Sequence, residues 1–148
     1  PPPPEQHEAV VRAVVATLRA AAPPGWWVCD RLGVALELAG GDSNLVPDVT
    51  VLRPRSSGAI WCDPADVALV VEVETPATRR FDRFLKPTLY ADGGIAAFWR
   101  VEPARGGPVV HAYELGAARY RLVQSIEGAE PVKLDAPYPV RVAPGDWV

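Results

Sequence analysis

The chain contains no methionine, two cysteines and two histidines in 148 residues. Cys29 and Cys62 are too few for a disulfide-stapled secreted fold, lack the paired spacing of a zinc knuckle, and read as reduced, mostly buried thiols. With His7 and His111 as the only imidazoles, a zinc centre rich in histidine or cysteine is nearly excluded. Any metal here must be held by oxygen. No stretch approaches the roughly 20 apolar residues of a membrane span. Four opening prolines followed by polar residues are not a secretory signal, and a cytoplasmic location is the expectation. Excess positive charge is also lacking: the formal net charge is -3. That argues against a protein that coats nucleic acid electrostatically and leaves room for a locally basic groove. Nothing matches a Gly-x-Ser-x-Gly elbow, a phosphate loop or a dinucleotide fingerprint, so serine hydrolase, nucleotidase and dehydrogenase chemistry find no support.

What is present is ordinary globular material, 49% hydrophobic and 22% charged. At this length one domain over residues 1–148 is expected, burying about two-thirds of its unfolded surface. Val10, Val11, Val14, Val15 and Leu18 have the spacing of an amphipathic helix over 5–22, ended by Pro23, Pro24 and Gly25. Strands are expected at 26–30, 34–38 and 45–52, with a turn at 40–44 and Pro47 near the start of the third strand. Residues 53–64 read as a loop. The run 67–73 is apolar on both faces, the mark of a central strand covered on two sides. From 75 to 94 the chain turns basic and then helical. Either Pro87 opens a helix that Gly93 ends in the left-handed conformation, or a kinked helix begins near Arg79. A strand at 96–101 and a hairpin of 109–115 with 119–126 follow, and the tail is proline-punctuated strand and coil. The five tryptophans read mainly as packing residues.

The acids in the two most apolar strands carry the chemistry. Side chains alternate along a strand, so Val46, Asp48, Thr50 and Leu52 share one side, as do Ala68, Val70, Glu72 and Glu74. Asp48 and the two glutamates can converge. Two unit charges about 4 Å apart repel by about 4 kcal/mol at an effective dielectric near 20, so a cation is expected between them. A hard divalent ion suits oxygen ligands, and it both acidifies a bound water and neutralises charge growing on a phosphorus. The competing arrangement is a frayed strand end whose acids pair with Arg79, Arg80 or Arg83. Lys86 reads either as a site cation or as a solvated partner of Asp82. Pro87 disfavours the latter, because a residue before proline avoids helical geometry. Arg79, Arg80, Arg83 and Lys86 face only Asp82 in charge, so this stretch is where a nucleic-acid backbone is expected to rest, with a soluble charged loop as the alternative. His7 reads as a surface or capping residue more readily than as a site residue.

The stretches LVPDVTVLRP, VALVVEVETPATRR and FDRFLKPTLYADGGIAAFWRVEP resemble, in order, the Uma-two family of restriction-endonuclease-like proteins, within the PD-(D/E)xK nuclease superfamily. The matching elements are a Pro-Asp strand, an apolar strand ending in Glu72 to Thr78, an Asp-x-x-x-Lys-x-x-x-Tyr segment at Asp82, Lys86 and Tyr90, and a Gly-Ile turn leading to Phe98 and Trp99. The resemblance covers residues 5–103 strongly and the tail weakly. It implies an α/β (α+β) fold with a mixed central sheet flanked by helices, and a C-terminal hairpin. It further implies Mg²⁺ or Mn²⁺ on Asp48 and Glu72, Lys86 as the cation at the scissile phosphate, DNA as substrate and a homodimer able to cut both strands. The superfamily places lysine two residues after Glu72; this sequence has Glu74 there, as a third ligand, a base or a sign of lost activity. Family members also carry a strand with Glu-Leu-x-x-Gly ahead of the first helix, and its contribution is not supplied by these residues. The favoured expectation is a metal-dependent endonuclease. The alternative is a decayed module on the same fold that binds nucleic acid or protein.

Overall fold

The structure is a computed structural model that describes residues 4–38, 41–54 and 61–147. Its first helix, α1 (Pro4–Ala21), buries Val10, Val11, Val14, Val15 and Leu18. These are the five residues whose spacing predicts its inner face, and they drive its docking, since a helix of this length owes most of its stability to packing. The Arg19 guanidinium closes its last turn by donating to the Val28 carbonyl.

Six strands form the central sheet: β1 (Trp27–Asp30), β4 (Val49–Leu52), β6 (Val67–Val73), β7 (Ala97–Glu102), β8 (Val109–Leu115) and β9 (Tyr120–Ile126), in the order β1-β4-β6-β7-β8-β9. Only β6 and β7 run parallel; the other neighbours are antiparallel. A parallel pair needs a crossover, and the basic segment 74–96 provides it. Every residue of β6 is buried, Glu72 included, as a run otherwise wholly apolar requires. Leu69, Val71 and Val73 pack toward α1, while Val67 and Val70 pack toward the other side.

On that second side lie α2 (Lys86–Asp92) and a small sheet of β2 (Gly33–Leu36), β3 (Ser43–Leu45) and β5 (Trp61–Cys62), in the order β3-β2-β5. The expected strand at 45–52 is therefore two elements. Its first residue, Leu45, belongs to the small sheet, and Val46, Pro47 and Asp48 bridge to β4, because Pro47 offers no donor to a ladder. Residue 40 of the turn expected at 40–44 and residues 55–60 of the loop expected at 53–64 lie outside the described residues; Ser43 and Asn44 of the first belong to β3 instead, and Trp61 and Cys62 of the second to β5, both held by pairing with β2. The tail forms the hairpin β10 (Val132–Leu134) and β11 (Val140–Val142), whose Leu134, Val140 and Val142 join the α1 core.

The crossover decides between the two helix readings. Helical backbone begins at Arg79, widens into a π-helical turn over Phe81–Leu85 and continues into α2. Lys86 sits in the helical region (φ -60, ψ -43), contrary to the expectation for a residue before proline. The widened turn accounts for this: the Lys86 N–H reaches back to the Phe81 carbonyl, shifting the ladder around the ring of Pro87. The helix end is also one residue later than expected. Gly94, not Gly93, is left-handed (φ +80), and Ile95 N–H bonds to the Tyr90 carbonyl in a Schellman closure. Gly93 is glycine for space, since a Cβ there would lie 2.6 Å from the Leu36 side chain.

Candidate active site

Glu72 is the penultimate residue of β6 and is 2% exposed, with its carboxylate turned toward α2. Two residues four apart on that helix meet it, as one helical face allows. Lys86 Nζ donates to Oε2 at 2.8 Å, and the Tyr90 hydroxyl donates to Oε1 at 2.8 Å. Lys86 Nζ also lies 3.2 Å from Oδ1 of Asp82, a buried carboxylate whose other oxygen accepts from the Thr78 hydroxyl at 2.6 Å. Asp82 and Lys86 thus share one continuous helical segment. Their pairing is buried rather than solvated.

Asp48 arrives from the adjacent strand. Val49 pairs with Val71 across the β4–β6 ladder, and Asp48, one residue before β4, lies close enough to Glu72 for its charge to act on that carboxyl. Oδ2 of Asp48 accepts the Val73 N–H at 2.7 Å, extending the ladder with a side-chain acceptor where the backbone of 46–48 turns away. His7 completes this edge: Nε2 donates to the Val73 carbonyl at 3.1 Å and stands 3.5 Å from Asp48 Oδ2. A carbonyl only accepts, so the proton is on Nε2. The surface or capping role read for His7 gives way to a contact with the candidate site, visible only once α1 is docked on the sheet.

Burial dominates the electrostatics. It pushes the Glu72 carboxyl up to about 8, against the pull of Lys86 and with Asp48 and Asp82 adding to the rise. Asp48 is raised by burial despite the Val73 amide and His7. For Lys86 burial works to lower the pKa, but Glu72 and Asp82 outweigh it and the ammonium is held above its ordinary range. Tyr90 is driven far upward by burial and by Glu72, so it donates its proton and keeps it. A carboxyl that holds its proton more tightly when folded favours the fold at low pH, and that contribution is lost as pH rises through the folded value. In chelator, urea unfolding should therefore show the protein losing stability between the ordinary value near 4.5 and about pH 8. Glu72→Gln should flatten the decline; a variant that declines as steeply as wild type would clear Glu72 as its source.

The second glutamate does not join the pair. Glu74 is fully buried, its oxygens taken by Arg83 Nε at 3.1 and 3.3 Å and by Arg100 Nη1, with Arg79 at 3.7 Å. The ion pairs continue: Arg83 also meets Glu102, Glu102 meets His111 at 3.0 Å, and His111 Nδ1 meets the Ser125 hydroxyl at 2.8 Å. The bond from His111, helped by Arg83, lowers Glu102 below the ordinary carboxylate range. Arg83 is thus largely committed to carboxylates. Arg79 and Arg80 remain exposed. Arg100 is the residue the sequence reading missed; its signal was a lone cation between the buried Trp99 and Val101 of an apolar strand.

Asp48 and Glu72 fit a hard divalent ion: two carboxylates lie within each other's electrostatic reach, one of them reluctant to ionise alone, and each oxygen in use retains a lone pair. Glu74 does not fit as a ligand. Among the described residues no three carboxylate, imidazole or thiol side chains gather as an ion cage. Two protein carboxylates plus water and substrate oxygens are a normal complement for Mg²⁺.

The profile of the Uma2 (Uma-two) family, described as "Putative restriction endonuclease", matches residues 1–143. The chain belongs to this family. A crystal structure described as a putative nuclease belonging to DUF820, from Anabaena variabilis, shares the fold at a TM-score of 0.63 and 17% identity, covering 93% of this chain and 75% of that one. No curated protein matches. The mixed α+β architecture expected from the sequence is thus the observed one, and Uma2 membership places the protein in a family described as nucleases. No helix among the described residues is long and apolar enough to cross a membrane. In this Uma2 chain the lysine that meets the buried glutamate comes from α2 rather than from β6, and the position two residues after that glutamate is filled by an arginine-bound glutamate.

Proposed function

We propose that this Uma2 protein, acting as one domain, is a metal-dependent endonuclease that hydrolyses DNA phosphodiester bonds. The observation that carries the reading is Asp48, at the entry to β4, near Glu72 of β6, with the Lys86 ammonium 2.8 Å from Glu72. A bound Mg²⁺ or Mn²⁺ would supply an acidified water and charge neutralisation at phosphorus. Asp48 and Glu72 would hold it, and the raised pKa of Glu72 gives that carboxyl a reason to exchange its proton for a cation. Lys86, kept protonated by its two carboxylates, presents a fixed positive charge to an incoming phosphate, where preorganised charge is most effective. Tyr90 holds Glu72 from behind. Glu74 ties β6 to β7 through Arg100 and does not enter the chemistry. Arg79 and Arg80 are the exposed cations for the DNA backbone. Strand β9, at the sheet edge with Leu122 and Val123 exposed, is where a second copy would pair to give the two sites that cutting both strands requires.

Cleavage of labelled DNA in Mg²⁺, Mn²⁺ or chelator tests the proposal. Cleavage is expected only with metal, and Lys86→Met should lower its rate about 10²- to 10³-fold. Cleavage that persists in chelator, or that is equal in the variant, refutes it. The second reading is a module that binds DNA without cutting it. It is favoured by Lys86 being occupied by both Glu72 and Asp82, and it predicts DNA binding with no metal-dependent cleavage at all.

A further inference from the structure

Two features beside the carboxylates play no part in the chemistry above. The first is the π-helical turn. Lys86 points inward from its end, while Phe84 is 72% exposed and Phe81 and Leu85 are about half exposed, with Arg79 and Arg80 just before them. Single exposed apolar residues are common, but three large ones within five positions form a patch that calls for an occupant. The second feature is a groove of about 430 Å³ between this turn with α2 and the β8–β9 hairpin. Phe84 and Pro87 stand on one wall and Tyr113 and Tyr120 on the other; buried Phe98, 5.7 and 5.5 Å from the two tyrosine rings, forms the floor. Arg119 is an exposed cation at the rim, with no ion pair among the described residues.

We propose that this groove and the Phe81–Leu85 turn take an unpaired base of a DNA strand, with Phe84 stacking on it and Arg119 and Arg80 on the flanking phosphates. The occupant follows from the charge and the shape. Exposed arginines select an anionic partner, and an aromatic-walled cavity rewards a flat π-face. In an intact duplex both faces of a base are already stacked, so only single-stranded or locally opened DNA offers what the groove takes. The substrate is thereby narrowed to DNA with unpaired bases, held by Phe84 two residues from Lys86. This inference rests on the nucleic-acid part of the reading above, not on hydrolysis.

Fluorescence anisotropy with a short labelled single-stranded oligodeoxynucleotide, and with the same oligonucleotide as a duplex, tests it in chelator, where cleavage is silent. Tighter binding of the single strand is expected, together with a loss of about tenfold or more in Phe84→Ala. Phe84→Tyr, which keeps an aromatic face, should bind like wild type, and Arg119→Ala should reduce the salt dependence of binding. Because Phe84 is largely exposed, circular dichroism should show Phe84→Ala folded. Equal single-strand affinity in Phe84→Ala, or a preference for duplex, overturns the proposal. So does a dimer that sedimentation shows dissociating in Phe84→Ala with oligonucleotide affinity unchanged, since the patch would then be an interface between copies. The two readings fail separately. Phe84-dependent binding with no metal-dependent cleavage sinks the nuclease alone, and metal-dependent cleavage with Phe84-independent binding sinks the base site alone.

Discussion

Asp48→Asn is expected to reduce metal-dependent DNA cleavage by at least about 10³-fold while leaving the fold intact. The substitution removes one negative charge and almost no volume. The amide oxygen of the introduced asparagine can still accept the Val73 N–H that Asp48 Oδ2 accepts at 2.7 Å, so the ladder edge is preserved. What is lost is half of the carboxylate pair. A metal ion contributes several kcal/mol of transition-state stabilisation, and each 1.36 kcal/mol is tenfold in rate, so losing its anchor costs about three or more orders of magnitude. Single-turnover cleavage with enzyme in excess reads the chemical step, and calorimetric titration with Mn²⁺ reads the binding step. Both should fail together. A variant that binds Mn²⁺ like wild type would show that Asp48 is not a ligand, and one that cleaves like wild type would mean the activity belongs to a contaminant.

Arg100→Met should lower stability by about 3 kcal/mol or more in urea unfolding. Removing one partner of a buried ion pair leaves an uncompensated charge, at a usual cost of about 3–5 kcal/mol. Glu74 would retain Arg83 at 3.1 Å and a more distant Arg79, which places the expected loss near the lower end. The methionine keeps much of the apolar stem, so packing beside Tyr113 changes little. Combining it with Glu74→Met should recover a large part of the loss, because a buried pair replaced by apolar residues is often neutral or better. If Arg100→Met unfolds within about 0.5 kcal/mol of wild type, the place given to Glu74 as a tie between β6 and β7 is wrong. These two outcomes would separate the acids of this edge, loss of Asp48 being felt in cleavage at little cost to stability and loss of the Glu74 partner the reverse.

Much of the fold was legible in the chain. The inner face of α1 and the ends of β6 were readable because each rests on one local signal, a 3.6-residue period in the first and an apolar run bounded by turn residues in the second. The β8–β9 hairpin was readable through Gly116 for the same reason. The strand over 45–52 was not, since its residues all suit extended backbone and only pairing distinguishes one sheet from another. The π-helical turn was equally hidden. It arises from fitting Pro87 into a helix while Lys86 and Tyr90 both reach Glu72, and no dipeptide preference reports that requirement.

The sequence by itself determined that the first helix docks by one apolar face and that a doubly covered strand carries Glu72. These follow from periodicity and alternation, which are properties of neighbouring residues. Only the tertiary structure decided which cation serves which acid. Lys86 goes to Glu72, Arg83 and Arg100 go to Glu74, and His7 crosses from α1 to the edge at Asp48 and Val73. A charge acts over a few ångströms in space whatever its distance along the chain, so partners separated by many residues are assigned only when strands register and helices dock.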